Sequence, residues 1–307
     1  MPHDHDHHHH DHHHTPQDFG RAFLIGIVLN TSFVITEIFW GLKANSLALL
    51  ADAGHNISDV LGLALAWTAV ILGRRQPSAR FTYGLRGTSI IASVTNAVVL
   101  LLVVGGIGWE SVLRLAKPEP AAGITMMAVA ALGIIINSVT AFLFMAGRKE
   151  DLNVRAAYLH MAGDAAISLG VVISGAIIMK TGWLWLDPLA SLGISILIVV
   201  GTLGLLKESV NLSLQAVPSF IDAAKVKSWL VSQPGVKEVH DLHIWAMSTT
   251  EVACSVHLVM AAGHPGDNFI KEIAHELEDD FKINHTTIQI ELGDSGAECP
   301  LAPDHVV

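Results

Sequence analysis

Two stretches of this chain carry the same chemical spacing. LADAGHNISDV places His55 four residues before Asp59, and LHMAGDAA places His160 four residues before Asp164. Residues four apart on a helix lie one above the other on a single face. Each stretch can therefore aim one imidazole nitrogen and one carboxylate oxygen at the same point. Two such helices side by side would supply two nitrogens and two oxygens, a tetrahedral set of the kind zinc takes. Imidazole suits zinc and cobalt, while oxygen-rich sites suit manganese, and this donor set separates Zn2+ only weakly from Cd2+ or Co2+. The residues around the pairs are small (Ala51, Ala53, Gly54; Ala162, Gly163, Ala165), which permits close helix approach. A single His–Asp pair reads equally well as a buried ion pair or a proton relay. Two identical pairs on different segments favour a metal cage.

Two further acids accompany the pairs. Asp52 lies three residues before His55, on the same face. It suits a second-shell acceptor for the imidazole N–H or a proton acceptor, and equally a partner for an arginine or interfacial water. Glu37 lies seven residues after Asn30, on the same face as it. It reads as a proton-holding group or as an interfacial residue near Lys43.

The segments that must position these residues are strongly apolar. Six stretches stand out, at about Ala22–Leu42, Leu47–Gly73, Thr88–Leu113, Ile124–Ala146, Val154–Met179 and Trp183–Leu206. About 20 apolar residues at 1.5 Å per residue match the ~30 Å hydrocarbon core of a bilayer. Lipid leaves backbone groups no partner outside the segment, so these are predicted as helices. The ~10-residue alternating pattern of a membrane β-barrel is absent. The whole chain is 51% hydrophobic and only 15% charged, with mean hydropathy +0.49, where a soluble domain carries roughly 25% charged residues. An ionisable group inside such a span is costly and reads as functional. His55 and Asp59 fall in the second stretch, His160 and Asp164 in the fifth.

Charge sets orientation and excludes partners. Arg74, Arg75, Arg80 and Arg86 lie between the second and third stretches; Arg148, Lys149 and Arg155 lie between the fourth and fifth. The positive-inside bias puts both loops, and so both termini, in the cytoplasm. A bacterial inner (plasma) membrane is the expected location. The net charge of -10 argues against nucleic acid as a partner. Two cysteines, Cys254 and Cys299, make no disulfide framework and fit a reducing compartment. The first 15 residues, MPHDHDHHHHDHHHT, are metal-binding by composition.

Four regions result: a His/Asp-rich tail (1–16), a six-helix membrane domain (17–209), a soluble domain (210–292) and a closing tail (293–307). The soluble region reads as helix, strand, strand, helix, strand. Phe220–Gln233 has helical spacing, Val236–Met247 and Glu251–Met260 alternate around a turn at Ser248–Thr250, Asn268–Phe281 is helical, and His285–Leu292 is a third strand. This αββαβ order predicts a small α+β domain, ferredoxin-like, with helices on one face of a sheet.

The paired motifs, together with ARFTYGLRG, VHDLHIWAMS and HTTIQIE, resemble the cation diffusion facilitators, in their zinc-transporting branch. The resemblance runs from about Phe19 to Leu292. It implies six transmembrane helices per protomer, a homodimer and a cytoplasmic metallochaperone-like αββαβ domain. It implies export of zinc from the cytoplasm in exchange for protons, with His55, Asp59, His160 and Asp164 as the transport site. By the same match His240, His257 and Glu291, with His285 less securely aligned, bind metal in the soluble domain, and Cys299 could add a thiolate. The loop RRQPSARFTYGLRG lacks His and Asp, so a zinc site that some members carry there is expected to be missing. An enzyme is not expected: a four-ligand cage leaves no open metal position, and HELED at His275 lacks the second His of a zinc-protease motif.

Overall fold

The computed structural model describes residues 20–73, 75–145, 152–293 and 299–302. The His-rich tail and the loop residues Arg74, Arg148 and Lys149 lie outside them. Six long helices come first: α1 (Gly20–Ala44), α2 (Leu47–Gly73), α3 (Thr88–Ala116), α4 (Gly123–Phe144), α5 (Leu152–Thr181) and α6 (Leu186–Ser213). Among the described residues four stretches are long and apolar enough to cross a membrane: Thr88–Ala116, Gly123–Phe142, Tyr158–Thr181 and Leu186–Ser213.

The bundle is apolar outside and partly polar inside. Leu102, Phe142, Ile196 and Val200 are exposed, whereas the seam between α3 and α6 is joined by serines. Ser111 donates to Ser191 at 2.8 Å, and Ser93 and Ser209 share a hydrogen bond of 2.8 Å. Small hydroxyl residues let helices approach and satisfy one another where no water competes. A surface of this kind suits lipid contact rather than water.

One end of the bundle is tightly closed. Ala44, Leu49, Met126, Val129, Val171 and Ile178 form a buried cluster across α1, α2, α4 and α5. Here α4 and α5 cross at Gly123 and Gly175; a Cβ at Gly175 would lie 2.9 Å from the Gly123 carbonyl oxygen. The start of α2 is held at this same end. The buried Asp187 carboxylate, from the first turn of α6, accepts from the backbone N–H of Leu47 at 2.8 Å and of Ala48 at 3.3 Å, and from the Ser46 hydroxyl. Ser46 Oγ in turn accepts from Leu49 N at 3.2 Å. The free N–H groups of a helix start are thus answered by a carboxylate from another helix.

The soluble part follows as α7 (Ala223–Val231), β1 (Glu238–Ala246), β2 (Val252–Val259), α8 (Asp267–Phe281) and β3 (His285–Glu291). α7 starts later than its apolar spacing suggested, because Asp222 caps it, accepting from Ala224 N and Lys225 N. The three strands lie in the order β1-β2-β3, antiparallel then parallel. Val226 and Leu230 of α7 and Ile273 and Leu277 of α8 pack with Val239, Ile244, Val256 and Leu258 of the sheet. Val239 and Ile244 are an odd number apart and would face opposite sides of a regular strand. A bulge between His240 and His243, with Asp241 at φ 50°, restores both to the core. The opposite face is left to His240, His257 and Glu291.

Replacing Asp187 by alanine should destabilise the bundle by about 1–3 kcal/mol, since two buried N–H groups and a hydroxyl lose their acceptor. Thermal unfolding in detergent measures this, and an unchanged midpoint would show that the carboxylate carries no stability.

Candidate metal centre

The third and fourth turns of α2 and the early turns of α5 face each other in the bundle. His55 and Asp59 project from one, His160 and Asp164 from the other. His55 Nε2 lies 3.2 Å from Asp164 Oδ1 and 3.8 Å from Asp59 Oδ2. His160 Nε2 lies 3.2 Å from Asp59 Oδ2 and 3.7 Å from Asp164 Oδ2. The imidazole centroids are 5.7 Å apart, nearly edge to face. One donor atom from each of the four residues falls within 4.8 Å of the others. A tetrahedron with zinc bonds near 2.0–2.1 Å has edges of about 3.3 Å. Two of the separations above, at 3.2 Å, already lie close to that, and the other two exceed it by about 0.5 Å, so small side-chain adjustments suffice to close the set on one ion. Burial is graded across the site: the Asp164 side chain is 3% exposed and that of His160 is 40% exposed.

The other acids on this side of the bundle do not bond to the imidazoles. Asp52 is wholly buried and its Oδ2 accepts from the Ser168 hydroxyl at 3.0 Å. His55 Nδ1, which Asp52 was expected to serve, has no hydrogen-bond partner among the described residues. Glu37 is also wholly buried and accepts from Asn56 Nδ2 at 2.9 Å. Asn56, Ser168 and Asp187 escaped the sequence reading. Each is an ordinary polar residue whose role appears only when helices distant in sequence are placed together.

A second group forms on the open face of the soluble sheet. β1 and β2 pair His240 with His257, and their rings lie 5.2 Å apart. Glu291, at the end of β3, reaches both: Oε2 is 3.4 Å from His240 Nε2 and Oε1 is 2.9 Å from His257 Nδ1. Cys299 Sγ approaches His257 Nδ1 at 3.8 Å, and these four residues again form a possible ligand set within 4.8 Å. Asp241, turned by the bulge, sits 3.4 Å from His257 Nε2 and 2.8 Å from His243 Nε2. His285 is not brought here. It opens β3, six residues before Glu291 or roughly 20 Å along a strand, and its ring meets Tyr83 edge to face. Burial works to raise the Glu291 carboxyl, but contacts with Cys299, His240, Gln289 and His257 outweigh it and hold the group below the ordinary glutamate range. Cys254 is different: burial among apolar neighbours pushes its thiol up to about 12, which leaves it a core residue and not a ligand.

With this geometry in place, two family descriptions match almost the whole length of the helices and sheet. "Cation efflux transmembrane domain" matches residues 23–212 and "Cation efflux protein, cytoplasmic domain" matches residues 218–292. The chain belongs to the cation efflux family. It is 37% identical over 291 residues to the "Metal cation efflux system protein CzcD" of Cupriavidus metallidurans, covering 94% of this chain and 90% of that one. It is 37% identical over 273 residues to the "Zinc transporter ZitB" of Escherichia coli, covering 88% and 87%. It is 33% identical over 276 residues to the "Cadmium, cobalt and zinc/H(+)-K(+) antiporter" of Bacillus subtilis, covering 88% of each. As a cation efflux protein the chain is a membrane transporter, with a small cytoplasmic domain built on the three-stranded sheet. Residues 213–217, just where α6 ends at Ser213, separate the two matched regions.

The soluble group yields a pH prediction. The Glu291 carboxylate has a lowered pKa, so its contribution is present above the ordinary glutamate range and is lost only as pH falls through that lowered value. Glu291→Gln should therefore weaken zinc binding to the soluble group by a similar factor at about pH 7.5 and about pH 5.5. Calorimetry on a variant lacking the quartet measures this; a Glu291→Gln defect confined to low pH would contradict it.

Proposed function

We propose that this chain exports Zn2+ from the cytoplasm in exchange for protons, with His55, Asp59, His160 and Asp164 as the site through which the ion passes. The observation that carries this reading is the convergence of two nitrogens and two oxygens from α2 and α5 within 4.8 Å. The donor set favours a borderline ion over Mg2+ or Ca2+, and the relatives named for zinc, cadmium and cobalt point the same way. Cd2+ and Co2+ are secondary substrates on this reading.

Charge balance supports exchange with protons. Two carboxylates neutralise one divalent ion, so the loaded site adds no net charge to a low-dielectric bundle. After metal leaves, protons on the imidazoles offset the freed carboxylates, and each Asp already stands 3.2 Å from an imidazole of the opposite helix. Metal and proton therefore compete for the same four side chains. With four protein ligands no position is left for an activated water, which favours a secondary transporter over a metal-dependent enzyme.

The remaining parts fit around this site. All six helices cross the bilayer, with both termini in the cytoplasm of a bacterium and the membrane its inner one. The chain divides into a metal-gathering tail (1–16), a membrane domain (17–209), a soluble domain (210–292) and a closing tail (293–307). The soluble domain pairs two protomers into a homodimer and binds metal through His240, His257, Glu291 and Cys299, sensing its cytoplasmic level.

Zinc uptake into proteoliposomes under an imposed pH gradient tests the proposal. Wild type should show saturable flux that follows the gradient, and Asp164→Ala should reduce it to background while remaining a folded dimer. Flux that persists in Asp164→Ala, or that ignores the gradient with membrane potential clamped, would overturn the reading.

A further inference from the structure

One turn from the quartet, toward the tightly packed end of the bundle, two more acids meet. Asp52 on α2 and Glu37 on α1 are both wholly buried, and Glu37 bonds to Asn56, which lies one turn after Asp52 on the same face of α2, so the two carboxyls are neighbours. Each has one oxygen satisfied from elsewhere. Glu37 Oε2 takes the Asn56 amide N–H, and Asp52 Oδ2 takes the Ser168 hydroxyl. The other oxygen of each, Glu37 Oε1 and Asp52 Oδ1, is buried without a hydrogen-bond donor. Ionised carboxylate oxygens are acceptors only, so two neighbouring ones cannot satisfy each other. The contact becomes favourable only when something positive lies between them.

Among the described residues the surroundings supply no fixed cation. The charged or titratable groups that face the pair are His55 from α2 and Asp164 from α5. α4, which packs on α1 and α5, contains no ionisable residue from Gly123 to Phe144. Lys43 of α1 lies over the Phe39 and Trp40 rings instead, at 4.8 and 5.9 Å from their centroids. The donors around the pair are oxygens and an amide, with no imidazole or thiol of its own. Such a set suits a hard, small charge rather than zinc. A single hydrogen shared by the two carboxyls satisfies both orphan oxygens and removes one of two like charges, as in other buried carboxyl pairs.

We propose that Glu37 and Asp52 form a proton site distinct from the metal quartet, which holds one shared hydrogen while the quartet is free of metal and gives it up when metal enters. The linkage is electrostatic and runs along α2, where Asp52 stands one turn from His55. The freed quartet takes back fewer protons than the two charges it lost, so an entering divalent ion raises its net charge and opposes the proton a turn away; when the ion leaves, the proton returns. In the step itself one carboxyl O–H bond breaks, its electron pair stays on the oxygen, and the proton passes to water on the exposed His160 side of the site. The pair thus adds to the protons that the imidazoles exchange. This rests on the quartet being the zinc site.

Calorimetric zinc titration of the full-length dimer, in buffers of different ionisation enthalpy, counts protons displaced per zinc bound. The difference between wild type and Asp164→Ala isolates the share of the quartet. Glu37→Gln and Asp52→Asn should each still bind zinc there, within about threefold of wild type, yet displace about one proton fewer. An unchanged proton count in both variants overturns the proposal, as does loss of quartet binding in both, which would make the acids part of the metal site or its packing. A wild-type count that changes when potassium replaces a large organic cation would place an alkali ion between the acids, and also overturns it. Absence of any Asp164-dependent binding in wild type is a separate failure, which removes the zinc reading itself.

Discussion

An ionisable side chain inside a bundle that faces lipid has to be answered by another part of the protein, because leaving it charged and unpaired costs several kcal/mol. That constraint organises this molecule more than any single apolar contact. Asp187 is answered by the start of α2, His55 by Asp164, His160 by Asp59, Asp52 by Ser168, and Glu37 by Asn56. Every one of these contacts joins two different helices. The polar network therefore specifies which helices are neighbours and at what height, while the apolar residues fill the space between them. Serine pairs between α3 and α6 do the same at lower energetic stake.

The network also explains why the site is tight at one end and accessible at the other. α2 is pinned at its first turn by Asp187, and α5 is drawn against α4 at the same end by the Gly123–Gly175 crossing. Beyond these anchors, α2 and α5 meet mainly through the quartet itself. Asp164 lies on the anchored side and is buried, while His160 lies one turn beyond and is open. An ion that binds or leaves the quartet changes the very contacts that join the free parts of the two helices. Movement of α2 against α5 is thus coupled to occupancy without a separate gate residue, on the proposed reading.

Much of this was legible in the sequence, for a definite reason. The quartet is built from i, i+4 pairs on helices, and helix periodicity alone brings each His over its Asp. The six helices were legible because lipid demands long apolar runs. The element order αββαβ of the soluble domain followed from alternation and helical spacing, but the bulge at Asp241 did not, since one residue in the left-handed region has no pattern of its own. Cys299 approaches His257 from beyond the last strand, a contact set by chain return and not by periodicity. His285 shows the converse error. It is the right residue type near the right strand, yet it sits six positions from Glu291 and meets Tyr83. Asn56 and Ser168 were invisible because a polar residue among apolar ones announces only that it needs a partner, not which helix provides it.

The two metal-competent groups differ in a way that fits different tasks. In the soluble domain the ligands come from three hydrogen-bonded strands, whose spacing is fixed by the sheet, so the group can close on an ion without shifting its scaffold. In the bundle the ligands come from two helices joined by few other contacts, and the His–Asp pairs already hold each other at 3.2 Å. On the proposed reading, binding there replaces existing His–Asp contacts instead of adding to an unformed site. The net gain is the difference between two satisfied arrangements, one with protons and one with metal, and such a difference is small and reversible. A rigid set of donors would retain zinc; a set that is equally content without it can release zinc on the far side of a membrane.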